Sequence, residues 1–202
     1  FQSIGFIRGE ELHNKYLNNP TLKYSSDLGM NLKFLSRDVY KSKNEESYLS
    51  ELKKTYKDFY FLPEGGTNKL GVLGCQEILS SKDEVFDYIC CSVGTGGTIS
   101  GLINSSLDSQ KIIGFSSINK KYLLNDISKF VTKKNWLIID SFRFGGYGKV
   151  NKELIEFMND FKLKYNILLD PVYTSKLVYG VFNLIENNYF KPKSKILMIH
   201  TG

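Results

Sequence analysis

The chain has 202 residues, of which 42% are hydrophobic, and this is enough to bury a substantial core. The low count of 4 prolines and the aromatic content of 14% exclude a solvated linker. A net charge of +6 and an isoelectric point near 9.0 raise the question of nucleic-acid binding. Only Arg8, Arg37 and Arg143 are arginines, and the lysines are mixed with acidic residues, so we predict no nucleic-acid partner.

Cysteine usage and hydropathy indicate the compartment. Cys75, Cys90 and Cys91 have no spacing that suits zinc or a disulfide framework, which predicts buried thiols in a reducing environment and no metal site. No apolar stretch approaches the roughly 18 residues that a membrane helix needs. We therefore expect a cytoplasmic protein without a membrane partner. The segment Phe1 to Arg8 resembles the middle of a βα unit, so we also expect further residues upstream.

Alternation between helical periodicity and short apolar runs predicts an α/β fold with an open, mostly parallel sheet and helices on both faces. The predicted helices begin at Asn44 and cover 151–165 and 174–190. The predicted strands are 32–36, 59–62, 88–93, 111–116, 136–140 and 196–200. A charged helix end, ELKKTYKD, precedes the richest glycine segments, which predicts a domain boundary between residues 57 and 58.

The segment from Tyr88 to Gly101, YICCSVGTGGTISG, carries the strongest functional signal. A buried strand runs into four glycines and then into a helix, so main-chain N–H groups can converge on one anion beside the helix N-terminus. There is no Walker lysine, which favours a phosphate monoester over a triphosphate. A plain tight turn and a dinucleotide-binding turn remain the alternatives.

Four further segments could contribute to a site. LPEGGTNKLGVLG, from Leu62 to Gly74, contains Glu64, for which we expect a structural role such as positioning Asn68. FGGYG presents Tyr147 on a glycine-rich loop, and DPVYTSK brings Tyr173 and Thr174 to the start of a helix. The chain ends in IHTG, where Thr201 follows a strand, and ligands of open parallel sheets bind at the carboxyl ends of the strands.

Together these segments resemble the pyridoxal-phosphate (PLP) enzymes that include aminocyclopropane-carboxylate (ACC) deaminase and D-cysteine desulfhydrase. SIGFIRGEE, LPEGGTN, SVGTGGT, FGGYGKVN, DPVYTSK and IHTG occur in that family's order and spacing. The resemblance implies the tryptophan-synthase β-like fold, fold type II. Residues 1–57 would then be the remaining part of the small domain, and 58–202 the large cofactor-binding domain.

The resemblance also implies roles for single residues. The PLP phosphate would be bound by Gly94, Thr95, Gly96, Gly97 and Thr98. Thr201 would form a hydrogen bond with the pyridine nitrogen, and a neutral hydroxyl there does not favour a protonated ring. Tyr147 and Tyr173 would lie over the substrate, where a tyrosine with a lowered pKa could transfer protons.

Thr174 bears on the substrate, because family members that open a cyclopropane ring resemble DPVYEGK, with a glutamate at this position. We therefore expect a D-cysteine desulfhydrase-like activity, with ACC deamination and non-catalytic binding of a phosphate ligand as the alternatives. Lys69, Lys149 and Lys176 lie beside motifs but match no cofactor lysine, so these 202 residues alone are expected to be inactive. The resemblance also implies a small amino-acid substrate and a homodimer.

Overall fold

The chain divides into two compact units, Phe1–Phe61 and Leu62–Gly202. This is seen in a computed structural model, which describes residues 2–43 and 45–201. The sequence predicts the division after residue 57, whereas the structure has it after residue 61. The segment in between contains the predicted strand Phe59 to Leu62. That strand prediction is wrong, because the segment has no regular secondary structure and leads into Pro63, which cannot donate a ladder hydrogen bond.

The first unit contains a two-stranded parallel sheet, in which Ile4 pairs with Asn31 and Arg8 with Leu35. Its strands are β1 (Ile4–Arg8) and β2 (Asn31–Leu35). Its helices are α1 (Pro20–Asp27), α2 (Arg37–Lys41) and α3 (Glu46–Tyr56), with 3-10 turns at Glu10–Leu12 and Tyr16–Asn18. The predicted helix start at Asn44 lies outside the described residues. The rest of that predicted helix is observed as α3.

The second unit is built on a parallel sheet with the strand order β5-β4-β3-β6. The strands are β3 (Tyr88–Val93), β4 (Lys111–Ser116), β5 (Trp136–Ile139) and β6 (Ile196–Ile199). The helices are α4 (Lys69–Cys75), α5 (Gly97–Ser105), α6 (Lys120–Ser128), α7 (Lys152–Tyr165) and α8 (Thr174–Glu186). Short 3-10 turns lie at Glu64–Gly66, Gln76–Ile78 and Ser81–Val85. The predicted α/β class and parallel sheet are confirmed.

Both faces of this sheet are buried, which explains why its strands are apolar at nearly every position. Successive side chains of a strand point to opposite faces. Cys91 accordingly belongs to a cluster with Leu102 of α5 and Ile127 of α6, whereas the adjacent Cys90 packs with Leu177 of α8. The predicted helices on both faces are thus confirmed.

Two of the predicted helices in this unit are observed with defined ends. The side chain of Asn151 accepts a hydrogen bond from the Leu154 N–H at 2.9 Å and so caps α7. The same helix ends at Asn166, which has a left-handed backbone with φ of 54°. Helix α8 ends at Glu186, earlier than the predicted residue 190, because the backbone at Asn188 turns to φ of 56°.

Close packing between α4 and α5 makes Gly101 sensitive to substitution. An alanine Cβ there would lie 2.6 Å from the Cys75 carbonyl carbon and 2.9 Å from the Val72 carbonyl oxygen. Because these are backbone atoms, Gly101→Ala is expected to lower the free energy of unfolding by about 3 kcal/mol. The matched control is Gly74→Ala on α4, where a Cβ meets nothing within 4 Å. That variant should gain about 0.5–1 kcal/mol in chemical denaturation, and an equal effect of the two would contradict the packing.

No helix within residues 2–43 and 45–201 is long and apolar enough to cross a bilayer. Nor does this part of the chain contain a group of three or more His, Cys, Asp or Glu side chains suited to a metal ion.

Candidate functional site

The strand order places a crevice at the carboxyl ends of β3 and β6. From β3 the chain proceeds to β4 and β5 on one side and returns to β6 on the other side. This reversal beside β3 is a topological switch point, at which open α/β sheets bind ligands. The loop after β3 and Thr201 after β6 line the same cavity, which has a volume of about 380 Å³. A cavity of this size accommodates a small cofactor.

The loop after β3 offers unused hydrogen-bond donors to this cavity. Among the described residues, the main-chain N–H groups of Thr95, Gly96, Gly97 and Thr98 have no acceptor. Gly96 has φ of 93°, which turns the backbone into α5 and adds the positive end of the helix to these donors. An anion in the cavity would thus meet converging N–H groups at a helix N-terminus. We call residues 94–98 the amide cup.

The segment before α4 packs directly against the amide cup. Gly65 has φ of 68°, and a Cβ at this position would overlap the Thr95 side chain, with Cγ2 only 2.9 Å away. The hydroxyls of Thr67 and Thr95 lie 2.6 Å apart and share a hydrogen bond. Asn68 accepts a hydrogen bond from the Gly71 N–H at 2.8 Å and so caps α4. The glycine-rich segment therefore fixes the outer wall of the cup.

Tyr173 lies on another wall of the cavity, where Asp170 holds the backbone around it. The Asp170 carboxylate accepts hydrogen bonds from the N–H groups of Val172 and Tyr173, both at 2.8 Å. It also accepts bonds from the N–H and the hydroxyl of Thr174, both at 2.7 Å. Burial raises the pKa of Asp170, but the hydrogen bonds from Thr174, Tyr173 and Val172 outweigh it, and the net pKa lies below its ordinary value.

The hydroxyl of Tyr173 is held in its protonated form. Burial, the neighbouring Tyr147 hydroxyl and the negative charges of Asp170 and Glu64 raise the pKa of Tyr173 to about 12. The sequence predicts a lowered pKa for a catalytic tyrosine here, and the pKa of Tyr173 moves in the opposite direction, chiefly because the phenol is partly buried and to a smaller extent because Tyr147, Asp170 and Glu64 lie near it. At neutral pH Tyr173 is consequently a protonated phenol that can donate a hydrogen bond.

The raised pKa of Tyr173 predicts a measurable titration. With Tyr173 labelled at Cζ, its carbon-13 NMR shift should change with a midpoint near pH 12. The protonated phenol stabilises the fold fully below the ordinary tyrosine pKa of about 10, and this contribution is lost as the pH rises towards 12. Tyr147→Phe should lower the midpoint, because it removes one cause of the shift. A midpoint near 10 in the unmodified protein would contradict this environment.

Tyr147 faces Tyr173 from a loop between β5 and α7. The two ring centroids are 6.0 Å apart, and the rings are inclined at 66°. Gly145, Gly146 and Gly148 all have positive φ, which lets the loop turn tightly around Tyr147. Tyr147 is 62% exposed and therefore lies at the open side of the cavity.

The chain is similar in sequence and in structure to ACC deaminases and their homologues. A Thermotoga maritima protein provisionally named 1-aminocyclopropane-1-carboxylate deaminase is 31% identical over 163 residues, which cover 71% of this chain and 51% of that protein. The Arabidopsis thaliana mitochondrial bifunctional D-cysteine desulfhydrase/1-aminocyclopropane-1-carboxylate deaminase is 30% identical, covering 87% of this chain and 50% of that enzyme. A crystal structure of an ACC deaminase homologue superimposes with a TM-score of 0.77 and 26% identity, covering all of this chain and 66% of that one.

The chain belongs to the family of ACC deaminase homologues. It spans about half the length of the two curated relatives described. No family profile matches it. The fold is that of the fold type II PLP enzymes, and the homologues are PLP-dependent.

The cavity fits the cofactor of the ACC deaminase homologues in its chemistry. The amide cup offers neutral donors for a phosphate, and the hydroxyls of Thr98 and Thr201 lie on the same cavity. A PLP ring would extend from the cup towards Thr201 and the two tyrosines. The lining contains no lysine among the described residues, and Lys176 is buried and bonded elsewhere.

The structure brings together all but one of the side chains and backbone groups that the sequence predicts for the site. Gly94, Thr95, Gly96, Gly97, Thr98, Tyr147, Tyr173 and Thr201 line the cavity. Thr174 does not line it, because its side chain is fully buried and bonded to Asp170. The lining also includes Glu64, Gly65 and Ser92, for which the sequence predicts no contact with a ligand. The four glycines around Glu64 were the available signal, since a backbone bent in this way commonly approaches a ligand.

Proposed function

We propose that this chain supplies the cofactor pocket of a PLP-dependent enzyme that performs β-elimination and deamination on a small amino acid, with D-cysteine as the preferred substrate. The single observation that supports this most is the convergence of the amide cup, Thr201 and the two tyrosines on one cavity. The name of the Arabidopsis thaliana relative contains both D-cysteine desulfhydrase and ACC deaminase, so the choice of D-cysteine rests on Thr174, which stands where ring-opening family members resemble DPVYEGK, with a glutamate.

In this proposal the phosphate end of the cofactor binds to the amide cup. The unpaired N–H groups from Thr95 to Thr98 donate to the phosphate oxygens, and the helix dipole of α5 adds to the attraction. The Thr98 hydroxyl provides a further donor. All of these donors are neutral, so the cup binds the phosphate through hydrogen bonds and the helix dipole.

Thr201 would accept or donate a hydrogen bond at the ring nitrogen of PLP. A hydroxyl is not charged at neutral pH, so it does not force a proton onto the ring. PLP supplies the electron sink for a substrate carbanion when it is bound. The protein's part at this end is therefore to orient the ring and to keep its nitrogen largely unprotonated.

Tyr173 would donate a hydrogen bond to the sulfur of the departing hydrosulfide and so stabilise its negative charge. The raised pKa keeps the phenol protonated until about pH 12, so this donor is present at neutral pH. Tyr147 covers the open side of the cavity and limits the access of water to the reacting atoms. We assign Thr174 to holding the backbone of Tyr173 through Asp170, which leaves no carboxylate at position 174 for opening a cyclopropane ring.

We further propose that these 202 residues bind PLP without a covalent bond and do not turn over substrate alone. Borohydride reduction of the chain mixed with PLP should then leave no phosphopyridoxyl group on Lys69, Lys149 or Lys176 when peptides are analysed by mass spectrometry. A stable modification of any one of them would contradict this part of the proposal.

The test of the activity uses the full-length protein loaded with PLP. Pyruvate release should be faster from D-cysteine than from L-cysteine, and 2-oxobutanoate release from aminocyclopropane-carboxylate should be slower still. The test variant is Tyr173→Phe, which keeps the ring and removes the hydrogen-bond donor; we expect kcat to fall by about 100-fold. Turnover of aminocyclopropane-carboxylate alone would favour the deaminase, and PLP binding without any turnover would favour a binding protein. Light scattering would test the homodimer that we also propose.

A further inference from the structure

Lys176 is a charged side chain in the interior of the second unit. It is only 2% exposed, and burial lowers its pKa below the ordinary value. Its ammonium donates hydrogen bonds to the carbonyl oxygens of Arg143 at 2.9 Å and Gly146 at 2.8 Å. Within residues 2–43 and 45–201 it has no carboxylate partner within 4.0 Å. Burying such a group is costly, so both of its bonds contribute to keeping it in place.

Both carbonyls belong to the turn that precedes Tyr147. Gly146 donates its N–H to the Arg143 oxygen at 3.0 Å, and Lys149 donates its N–H to the Gly146 oxygen at 3.1 Å. The Lys176 ammonium therefore donates to the carbonyl oxygens that close two successive turns of this loop. Three glycines in this loop have positive φ and offer no side chain for packing, although Phe144 packs against Tyr179 of α8 with ring centroids 4.9 Å apart. The two bonds from Lys176 add a polar tether from the same helix.

The start of α8 and the residues just before it contact the segments of both tyrosines. Asp170, just before the helix, accepts the N–H of Tyr173 at 2.8 Å. Lys176, within the first turn, anchors the loop of Tyr147. These two anchors hold the segments that carry the two rings, whose centroids are 6.0 Å apart.

We propose that Lys176 is a positioning residue that holds Tyr147 over the substrate side of the cavity, and that it acts neither on the phosphate nor on the cofactor directly. This inference rests on the proposed function for its catalytic consequence. Its structural part, the anchoring of residues 143–148, does not.

The first experiment measures hydrogen–deuterium exchange in the full-length protein. Lys176→Met keeps the length and the apolar stem but removes both hydrogen bonds. We expect amides 145–149 to exchange at least about tenfold faster, while α8 retains its protection. The matched control is Lys149→Met, which removes an exposed ammonium from the same loop and should leave exchange unchanged. Unchanged exchange in Lys176→Met, or equal acceleration in both variants, would overturn the proposal.

A variant with a weaker donor covers the case in which Lys176→Met does not fold. Lys176→Gln can still donate from its amide to one carbonyl, so its loop should exchange at an intermediate rate. If that loop exchanges like the unmodified protein, the ammonium is not the anchor.

The second experiment separates positioning from cofactor binding. Lys176→Met should raise the KM for the amino acid by about tenfold, and change the Kd for pyridoxine 5′-phosphate by less than about threefold. In a Tyr147→Phe background the same change should have a smaller effect on KM, because the two residues act together. If the unmodified protein does not bind pyridoxine 5′-phosphate, the proposed function is contradicted. The hydrogen–deuterium exchange result would still decide whether Lys176 anchors residues 143–148.

Discussion

Gly65→Ala is expected to weaken binding of pyridoxine 5′-phosphate by about 100-fold, as measured by isothermal titration calorimetry. The added Cβ would overlap Thr95 and lie 2.9 Å from its Cγ2, so the residue must move out of the amide cup. Thr95 contributes both an N–H group and a wall of the cavity. The converging donors would then no longer meet at one point.

Gly66→Ala is the matched control for this prediction. Gly66 has φ of 66°, close to the 68° of Gly65, so alanine meets a similar backbone strain at both positions. A Cβ on Gly66 meets nothing within 4 Å, however, and Gly66 does not line the cavity. Its affinity for the ligand should fall by no more than about fivefold. Equal losses for the two variants would mean that strain in the backbone, and not contact with Thr95, controls the cup.

Asp170→Ala is expected to lower the free energy of unfolding by about 3 kcal/mol, measured by chemical denaturation at pH 7. Three main-chain N–H groups and the Thr174 hydroxyl would lose their common acceptor. Thr174 is fully buried, so its hydroxyl would find no water in exchange. The backbone of Tyr173 would be released at the same time, and its raised pKa should move towards 10.

The Asp170 effect should depend on pH in a defined direction. Because the folded-state pKa of Asp170 is lowered, its contribution is present above the ordinary aspartate pKa of about 3.9 and is lost as the pH falls through the lowered value. The difference between Asp170→Ala and the unmodified protein should therefore narrow below pH 4. Asp108→Ala is the control, because that side chain is 93% exposed and should change stability by less than about 0.5 kcal/mol.

Much of the fold follows from apolar patterning. Strands β3 and β4 begin and end at the predicted residues, since their continuous apolar runs reflect burial on both faces. Strand β1 is not among the predicted strands: its run from Ile4 to Ile7 is short and only partly buried, and Arg8 is exposed. The segment Phe59 to Leu62 misled the prediction in the opposite way: it is apolar but has no neighbouring strand among the described residues.

The parts of the candidate site that are formed by the backbone could be predicted from the sequence. The parts that depend on tertiary contacts could be predicted less well. The glycines of the amide cup indicate exposed main-chain N–H donors, because a backbone with positive φ or without a Cβ in the way favours glycine. The burial of Thr174 could not be inferred, since it depends on the Asp170 carboxylate accepting the Thr174 hydroxyl. Nor could the buried position of Lys176, because an ordinary lysine near a helix start is solvated and its acceptors are some thirty residues away in sequence.

The arrangement of β3 also determines how its two neighbouring thiols can react. Cys90 and Cys91 are both 0% exposed and face opposite sides of the sheet, so they cannot pair with each other while the strand is intact. Burial raises the pKa of Cys90 to about 12 and that of Cys91 higher still, which leaves almost no thiolate at neutral pH. An alkylating reagent therefore reaches them only when the central strand detaches. The rate at which the two thiols are alkylated would therefore report how often the sheet opens.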